Sequence, residues 1–283
     1  MKLYKIKTGC LLVTGQGNYL LHTPWDQLIN RDHLHQHLHE LKQRAPSLND
    51  QQTNLLLNSE LLAPIGSQEV WAAGVTYLRS RDARMEESKD AGGASFYDKV
   101  YAAERPELFF KALPHRVAAH NEEVYIRKDS SWNVPEPELT LFINAGGRIQ
   151  GYTIGNDMSS RSIEGENPLY LPQAKVYERS AALGPCLYVP QGPIDPATTI
   201  SIIIRRQDQV VFEDQIGLDR MKRSLTELAA YLFLECRFAP GCFLMTGTGM
   251  VPPPGFTLAL GDEVDIQIEG IGILHNRIGE SAK

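Results

Sequence analysis

The spacing of two glutamates and one aspartate is the most informative feature of this sequence, because it predicts that three carboxylates lie close together. Glu136 and Glu138 flank a single proline directly before the extended run 139–143. Because alternate residues of an extended chain point to the same side, the two carboxylates share one face, roughly 6 to 7 Å apart along the backbone. A glycine turn and a second extended segment, 151–155, lead to Asp157. Hairpin pairing of the two segments would bring Asp157 beside the glutamate pair.

Three carboxylates at one point require a positive partner. Two carboxylates about 5 Å apart repel by roughly 3 kcal/mol at an effective dielectric near 20, and each loses hydration beside apolar residues. Oxygen ligands of this kind suit Mg²⁺, and also Mn²⁺ or Ca²⁺, better than a soft metal. The alternative interpretation is a solvated acidic patch on an edge strand, where Pro135 and Pro137 would also be tolerated.

The composition is that of an ordinary globular protein. The chain has 283 residues, 42% hydrophobic and 22% charged, enough for one large core and a smaller module. No apolar stretch reaches the roughly 20 residues of a membrane-spanning helix, and residues 1–5 lack the apolar centre of a signal peptide. We therefore expect no membrane partner and a cytoplasmic location. The net charge of -6, without a long Lys/Arg cluster, argues against nucleic acid as a partner.

The first part of the chain differs in pattern from the rest. Residues 1–65 combine short strand-like segments with one polar helix expected over about 24–44, which predicts a small N-terminal α+β domain. A Pro-Ile-Gly sequence at 64–66 marks a plausible boundary. We expect residues 66–283 to form a second domain, the candidate catalytic domain, which contains the three acids.

Extended segments dominate this second domain, so the predicted fold class is mostly β within α+β. Helices are expected across 80–89, across 96–103 and from Ser224, where Glu227 lies three residues later in a capping box. The expected strands are 70–75, 108–112, 124–127, 138–145, 149–155, 186–189, 199–207, 209–214, 263–271 and 272–277.

A histidine cluster is the alternative metal site in the sequence. His33 with His37, and His35 with His39, have i, i+4 spacing on the expected N-terminal helix, as paired zinc ligands do. The H-E-x-x-H pattern is absent, however, and a solvated polar face explains the cluster equally well. The four cysteines contain no C-x-x-C pair, so they predict neither a zinc ribbon nor a disulfide framework.

Several long strings closely resemble the fumarylacetoacetate hydrolase superfamily, and within it the dehydratases of 2-keto-3-deoxy sugar acids. The segment 151–177 reads GYTIGNDMSSRSIEGENPLYLPQAKVY, and the E-P-E pair precedes it. The strings PELFFK at 106–111, PGCFLMTGTG at 240–249 and GDEV at 261–264 also look like the family's. The resemblance covers about residues 70 to 280. It implies a mixed β-sandwich roll for the catalytic domain.

The resemblance also implies a ligand set and a catalytic lysine. Glu136, Glu138 and Asp157 would ligate Mg²⁺, at the point where the spacing already predicts a cation. Lys175 matches the family's catalytic lysine, downstream of the aspartate. A positive neighbour disfavours the ammonium form of a lysine, so its neutral amine can serve as a base. Without the resemblance, Lys175 would be interpreted as a surface cation.

Four further residues are candidates to contact the substrate or to transfer a proton, and two of them, Arg161 and Glu164, match substrate-facing positions of the family. Arg161 and Glu164 follow the ligand aspartate, and Arg161 could instead pair with a ligand carboxylate. Glu107 begins a strand and is a candidate to donate or accept a proton, with an exposed strand-end glutamate as the alternative. Thr248 lies in a glycine-rich loop suited to a substrate carboxylate, or simply in a turn that needs positive φ.

One departure from the superfamily favours elimination over hydrolysis. Many of its hydrolases carry N-Y-x-x-H after the first strand of the catalytic domain, and this histidine activates the attacking water. The comparable stretch here, 76–80, reads TYLRS, with serine in place of histidine. Serine is a poor general base without a partner. Arg79, Ser80 and Arg81 are better suited to holding hydroxyls or a carboxylate of the substrate.

The expected reaction is the dehydration of a 2-keto-3-deoxy sugar acid, such as 2-keto-3-deoxy-D-arabinonate, to a 2,5-dioxo acid. Mg²⁺ would hold the keto-acid head, and Lys175, Glu164 or Glu107 would remove the carbon 3 proton. The second hypothesis is Mg²⁺-dependent hydrolysis of a carbon–carbon bond in an acylpyruvate or diketo acid. The third is a non-catalytic protein that binds sugar acids. The resemblance further suggests a homodimer or homotetramer.

Overall fold

The computed structural model describes residues 1–87, 94–253 and 255–282. Its strands are β1 (Lys2–Ile6), β2 (Gly9–Thr14), β3 (Gly17–Leu21), β4 (Ser47–Leu48), β5 (Glu69–Gly74), β6 (Glu107–Ala112), β7 (Val117–Ala118), β8 (Glu122–Ile126), β9 (Asn133–Val134), β10 (Pro137–Ile143), β11 (Ile149–Asp157), β12 (Ser159–Ser160), β13 (Ala181–Tyr188), β14 (Thr199–Arg206), β15 (Gln209–Gly217), β16 (Cys242–Met245), β17 (Glu263–Ile268) and β18 (Gly272–Glu280). Its helices are α1 (Trp25–Ile29), α2 (Leu34–Leu41), α3 (Asp50–Glu60), α4 (Leu78–Glu87), α5 (Ala94–Ala102), α6 (Arg161–Glu166), α7 (Leu171–Lys175) and α8 (Leu225–Phe233). Within the described residues, no helix has both the length and the apolar character needed to cross a membrane.

Two sheets face each other in the described part of the chain. The larger has the order β4-β3-β2-β1-β13-β11-β10-β16-β5-β6, with β7 pairing beside β13. The smaller has the order β15-β14-β17-β18-β8, and β9 with β12 forms a separate two-stranded ribbon. Strands β10 and β11 of the larger sheet contact β14 and β17 of the smaller. This is the mixed sandwich, mostly β, that the sequence predicts.

The larger sheet is covered on both faces, and this places its central strands out of solvent. Leu139 and Leu141 of β10 pack in a core with Ile202 of β14 and Ile266 of β17, between the sheets. Phe142 of β10 belongs to a second core on the other face. That second core also contains Leu3, Leu12, Leu28, Leu34, Leu38, Leu187 and Phe243. Every residue of β10 is therefore buried.

The expected N-terminal helix over 24–44 is wrong as a single element. It is divided into α1 and α2 by His33, whose φ of 53° lies in the left-handed region and interrupts the helical turn. Helix α3 was not predicted from the sequence. At its start, the side chain of Asn49 accepts a hydrogen bond from the backbone N–H of Gln52, and the side chain of Gln52 accepts one from the backbone N–H of Asn49. This capping box was a recognisable start signal. The expected helices 80–89 and 96–103 correspond to α4 and α5, while residues 88 and 89 lie outside the described residues.

The predicted boundary at residue 65 is crossed by the larger sheet. Strand β1 pairs antiparallel with β13, with Lys2 opposite Tyr188 and Leu3 opposite Leu187. The N-terminal strands thus extend the sheet that carries β10 and β11. The division into residues 1–65 and 66–283 stays a prediction.

We expect a fragment comprising residues 66–283 to lose its cooperative thermal transition. Its β13 would lack β1 as hydrogen-bonding partner, and apolar side chains that contribute about 1.5–3 kcal/mol each when buried would face water. Differential scanning calorimetry and gel filtration against the full chain would measure this. A monodisperse fragment with the melting temperature of the full chain would instead show two independent domains.

Candidate metal centre and active site

The β10–β11 hairpin brings the three carboxylates together. Glu136 and Asp157 lie directly opposite each other and exchange two backbone hydrogen bonds, with N–O distances of 3.2 and 2.9 Å. Glu138 pairs with Gly155, two residues further along the hairpin. One carboxylate oxygen from each of the three acids lies within 4.8 Å of the others. No other group of three candidate metal-ligating residues occurs among the described residues, so the histidine cluster forms no such site.

Burial excludes the alternative of a solvated acidic patch. Glu136, Glu138 and Asp157 are 4%, 1% and 1% exposed. Strand β10 lies between β11 and β16 and is not an edge of the sheet. Carboxylates so far from water need cations or hydrogen-bond donors close by.

Each of the three acids has one oxygen in contact with a donor or cation of the protein. Oε1 of Glu136 accepts from Nε of Arg161 at 3.2 Å. Oε2 of Glu138 accepts from the backbone N–H of Gly247 at 2.6 Å. Oδ1 of Asp157 lies 2.5 Å from Nζ of Lys111 as an ion pair without hydrogen-bond alignment. One oxygen of each acid is thereby left for another partner.

Lys175, at the end of α7, contacts two of these remaining oxygens. Its Nζ lies 2.6 Å from Oε2 of Glu136, 3.0 Å from Oδ2 of Asp157 and 2.6 Å from Oγ of Ser159. The side chain is fully buried. The amine therefore lies beside the point where the three acids converge.

The two glutamates of the E-P-E pair titrate in opposite directions. Burial raises the pKa of Glu138 well above its usual value, and the charges of Asp157 and Glu136 raise it further. Burial also opposes ionisation of Glu136, but Lys175 and two arginines outweigh it and hold its pKa below the ordinary range. Glu138 is thus the acid whose ionisation most needs an added cation.

Two more acids lie next to this group. Burial raises the pKa of Glu107, and the charges of Arg84 and Lys175 oppose that rise. The residue is partly exposed, yet its Oε2 is buried without a hydrogen-bond partner in the described part of the chain. Glu164 is buried and forms an ion pair with Arg84, which itself lies 3.7 Å from Oε1 of Glu136.

The expected substrate-binding residues do not all lie at this site. Ser80, Arg161 and Thr248 line the cavity beside the three acids. Arg79 has a side chain 53% exposed and pairs with Asp214 at 2.6 Å. Arg81 pairs with its neighbour Asp82, also at 2.6 Å. A substrate role for Arg79 and Arg81 stays a prediction and requires both side chains to leave these partners.

The clear space at the site is about 10 Å³, room for a single water molecule. A sugar acid needs more space, so side chains around the acids must move for it to enter. Arg84 and Ser80, both on α4, form part of the wall. A larger cavity, about 570 Å³, lies elsewhere, between α2, α8, the β10–β11 turn and residues 190–193.

The site has the donor set of a hard cation. Three carboxylates supply oxygen ligands only, and three of six octahedral positions would remain for a substrate and water. Glu136, Glu138 and Asp157 would hold the ion. A dication there would lower the raised pKa of Glu138, because it would stabilise the ionised carboxylate.

Comparison with known proteins places the chain in a family. The profile of the fumarylacetoacetate (FAA) hydrolase C-terminal family matches residues 70–279. The chain belongs to this family. It is 47% identical over 216 residues to a probable 2-keto-3-deoxyxylonate dehydratase of Haloferax volcanii, which covers 76% of this chain and 73% of the relative. It is 40% identical over 213 residues to the 2-dehydro-3-deoxy-D-arabinonate dehydratase of Saccharolobus solfataricus, covering 75% and 72%.

A solved structure of this fumarylacetoacetate hydrolase family extends the similarity to the whole chain. It is a 2-keto-3-deoxy-D-arabinonate dehydratase complexed with magnesium and 2,5-dioxopentanoate. The TM-score is 0.85 at 31% identity, with 100% of both chains covered. The mostly β fold with mixed sheets that the resemblance implies is confirmed. The likeness to the solved structure also extends over the N-terminal residues that the family profile does not match.

Sequence reasoning missed Lys111 and Arg84. Burial lowers the pKa of Lys111 to about 8, and the attraction of Asp157 limits that fall. Lys111 ends the PELFFK string, and the sequence carries no signal that this lysine is buried, since lysine side chains are mostly exposed. Arg84 lies in a helix rich in charged residues, where nothing in the sequence distinguishes the buried arginine from the exposed ones.

We expect Gly247→Ala to weaken cation binding. Its φ of +92° is unfavourable for alanine, and a Cβ there would lie 2.1 Å from Oγ1 of Thr76, so the N–H that holds Glu138 would be displaced. Magnesium titration calorimetry should show a loss of about 10-fold or more in affinity. Gly255→Ala is the matched control, because Gly255 has a φ of +90° in open space. Equal effects of the two variants would mean that only backbone strain matters.

Proposed function

We propose that this chain is a magnesium-dependent dehydratase that converts a five-carbon 2-keto-3-deoxy sugar acid into 2,5-dioxopentanoate and water. The observation that carries the proposal is the buried carboxylate group with Lys175 against two of its oxygens. Similarity to two sugar-acid dehydratases, at 47% and 40% identity, supports the reaction type. The magnesium and 2,5-dioxopentanoate named for the similar solved structure support the cofactor and the product.

The two relatives' names are compatible with one substrate. A 2-oxo group and a 3-deoxy carbon carry no stereocentre, so acids derived from arabinonate and xylonate are the same compound when carbon 4 has the same configuration. The substrate proposed for this chain is that acid.

Bound Mg²⁺ would polarise the 2-oxo group and stabilise the negative charge that develops on its oxygen. Lys175 then has the position of the general base. Its Nζ contacts two acids of the group and a serine hydroxyl. As the base, this amine would take the proton from carbon 3.

Glu107 has the properties of the matching acid. Its raised pKa, caused mainly by burial, favours the protonated carboxyl that can give a proton to the departing carbon 4 hydroxyl. That hydroxyl leaves as water while the carbon 3–carbon 4 double bond forms, and tautomerisation gives the 5-aldehyde. The ion pair of Glu164 with Arg84 supports a positioning role for Glu164, beside the cavity wall.

The charge at the site fits a substrate with one carboxylate. Five carboxylates face four cationic groups, which leaves one net negative charge when all are ionised; a dication changes this to one positive charge, which a keto-acid monoanion neutralises. Moving one proton from Lys175 to Glu107 leaves the total unchanged. The groups are Glu107, Glu136, Glu138, Asp157, Glu164, Arg84, Lys111, Arg161 and Lys175.

Dehydration is favoured over hydrolysis by the residues that line the cavity. None of the described lining residues is a histidine. Ser80 lies at the position of the hydrolases' histidine. Its hydroxyl donates a hydrogen bond to the backbone carbonyl of Tyr77 at 2.8 Å, and a carbonyl cannot act as the base that would activate it. The histidine that activates the water in those hydrolases therefore has no counterpart among the described residues that line this cavity.

We also propose a homodimer or homotetramer that works in the cytoplasm. Strand β15 is an edge of the smaller sheet and exposes Val210 and Val211, which supports contact with another copy. All four cysteines are free, in keeping with a reducing compartment.

Product analysis tests the reaction. With Mg²⁺, a 2-keto-3-deoxypentonate should give 2,5-dioxopentanoate by NMR, and excess EDTA should abolish turnover. Acylpyruvates serve as the comparison substrates. If the chain cleaves an acylpyruvate and turns over neither carbon 4 epimer of the pentonate, the proposed function is wrong and the chain is a hydrolase.

Lys175→Ala and Glu107→Gln should each lower kcat by about 10²–10⁴-fold, because each variant removes one proton-transfer step. Magnesium affinity should persist in both, since the carboxylate ligands are intact. Steady-state kinetics and calorimetry measure the two effects separately. Lys42→Ala is a surface control, its amine contacting only Gln16 among the described partners. If Lys175→Ala keeps the wild-type kcat, the lysine is not the general base.

A further inference from the structure

We propose that Arg223 is a positioning residue for the reaction, because its guanidinium holds helices α4 and α5 in place. Helix α4 carries Ser80 and Arg84, which form part of the cavity wall beside the three acids. Arg223 itself lies directly before α8 and is not one of the described residues that line this cavity. The inference rests on the proposed function, since it concerns how the substrate of that site is bound.

The guanidinium of Arg223 is buried and donates to four acceptors. Nη1 donates to the backbone carbonyl of Glu104 and to Oε1 of Glu227, both at 2.7 Å. Nη2 donates to the carbonyls of Val100 at 3.3 Å and Ala103 at 2.5 Å. These three carbonyls lie in the last turn of α5 and directly after it, where a helix leaves carbonyls without backbone partners and favours a cation. Arg223 therefore caps the end of α5.

The residues next to Arg223 hold the beginning of α4. The backbone N–H of Lys222 donates to the carbonyl of Thr76 at 2.9 Å. Met221 forms an antiparallel bridge with Tyr77, the residue directly before α4. Residues 221–223 are thus bonded to the start of α4 and to the end of α5. The two helices have one common point of attachment.

Contacts between the two helices connect this attachment to the site. The guanidinium of Arg81 on α4 lies 5.2 Å from the centre of the Tyr101 ring and 3.5 Å from Oδ1 of Asp98, both on α5. On the same helix α4, Arg84 forms its ion pair with Glu164. A displacement of α5 would therefore move the helix that carries Arg84 and Ser80.

Helix α8 gives the attachment a firm base. Its Leu228, Ala229 and Leu232 are buried in the core between the two sheets. Glu227, in the first turn of this helix, fixes one side of the Arg223 guanidinium. The planar guanidinium presents several donors in fixed directions, whereas the three donors of a lysine ammonium start from one point. Lysine at position 223 could replace the charge but not all four hydrogen bonds.

Loss of this attachment should affect substrate binding more than the chemical step. With Arg223 the wall of the cavity is held in one position. Without it, the α4–α5 pair would occupy that position for only a fraction of the time, and the apparent affinity for substrate falls by the same fraction. The bound complex with the wall in place reacts as before. The expected signature is a raised KM with kcat retained.

The experiment compares Arg223→Met with the wild type on a 2-keto-3-deoxypentonate with Mg²⁺. KM should rise by about 10-fold or more, while kcat and the magnesium affinity measured by calorimetry stay those of the wild type. Hydrogen–deuterium exchange without substrate should become faster in α4 and α5. Arg223→Lys should give a smaller rise in KM. Arg220→Met is the matched control, because this arginine lies in the same segment and is exposed, and it should leave KM and exchange unchanged.

Several results would overturn the proposal. One is a wild-type KM in Arg223→Met, and another is an equal rise of KM in Arg220→Met. A parallel loss of kcat and magnesium affinity would show a general folding defect and no specific positioning. If Arg223→Met does not fold, a wild-type KM in Arg223→Lys decides against the role. A wild-type chain that turns over no pentonate defeats the proposed function instead, and the exchange measurement then tests the attachment without any substrate.

Discussion

Three carboxylates buried within 4.8 Å of one another are the constraint around which the rest of this structure is arranged. Each pair repels by about 3 kcal/mol at an effective dielectric near 20, and burial removes the water that would screen them. The protein supplies positive partners from four different parts of the chain: Lys111 on β6, Arg161 on α6, Lys175 on α7 and the N–H of Gly247 after β16. The elements that converge on the hairpin are thus held to it by electrostatic attraction. The pocket between them has almost no free volume in the absence of an ion and a substrate.

The sheet makes this concentration of charge geometrically stable. Glu136 and Asp157 face each other in one register of the β10–β11 hairpin, and a slip by one residue would turn Glu138 toward the core between the sheets. That register is fixed by alternation along β10, where Leu139 and Leu141 pack on one face and Phe142 on the other. Packing on both faces of the sheet therefore determines where the acids meet.

The fold class and the three acids could be predicted because their signals are local. A period of two places Glu136 and Glu138 on one face, and a glycine turn returns the chain to Asp157. Lys111 could not be placed, since its acceptors lie 47 and 64 residues away and nothing in PELFFK says which direction the amine takes. The break at His33 depends on a left-handed backbone conformation, which the residue type alone does not predict. Roles for Glu107 and Glu164 could be suggested, but their burial and the ion pair with Arg84 come from long-range packing.

The wall formed by α4 has a consequence for exchange kinetics. Arg84 and Ser80 are part of the wall of a space of about 10 Å³ beside the acids. An ion held by the three carboxylates would therefore exchange only when side chains of this wall move, and so more slowly than at a site open to solvent.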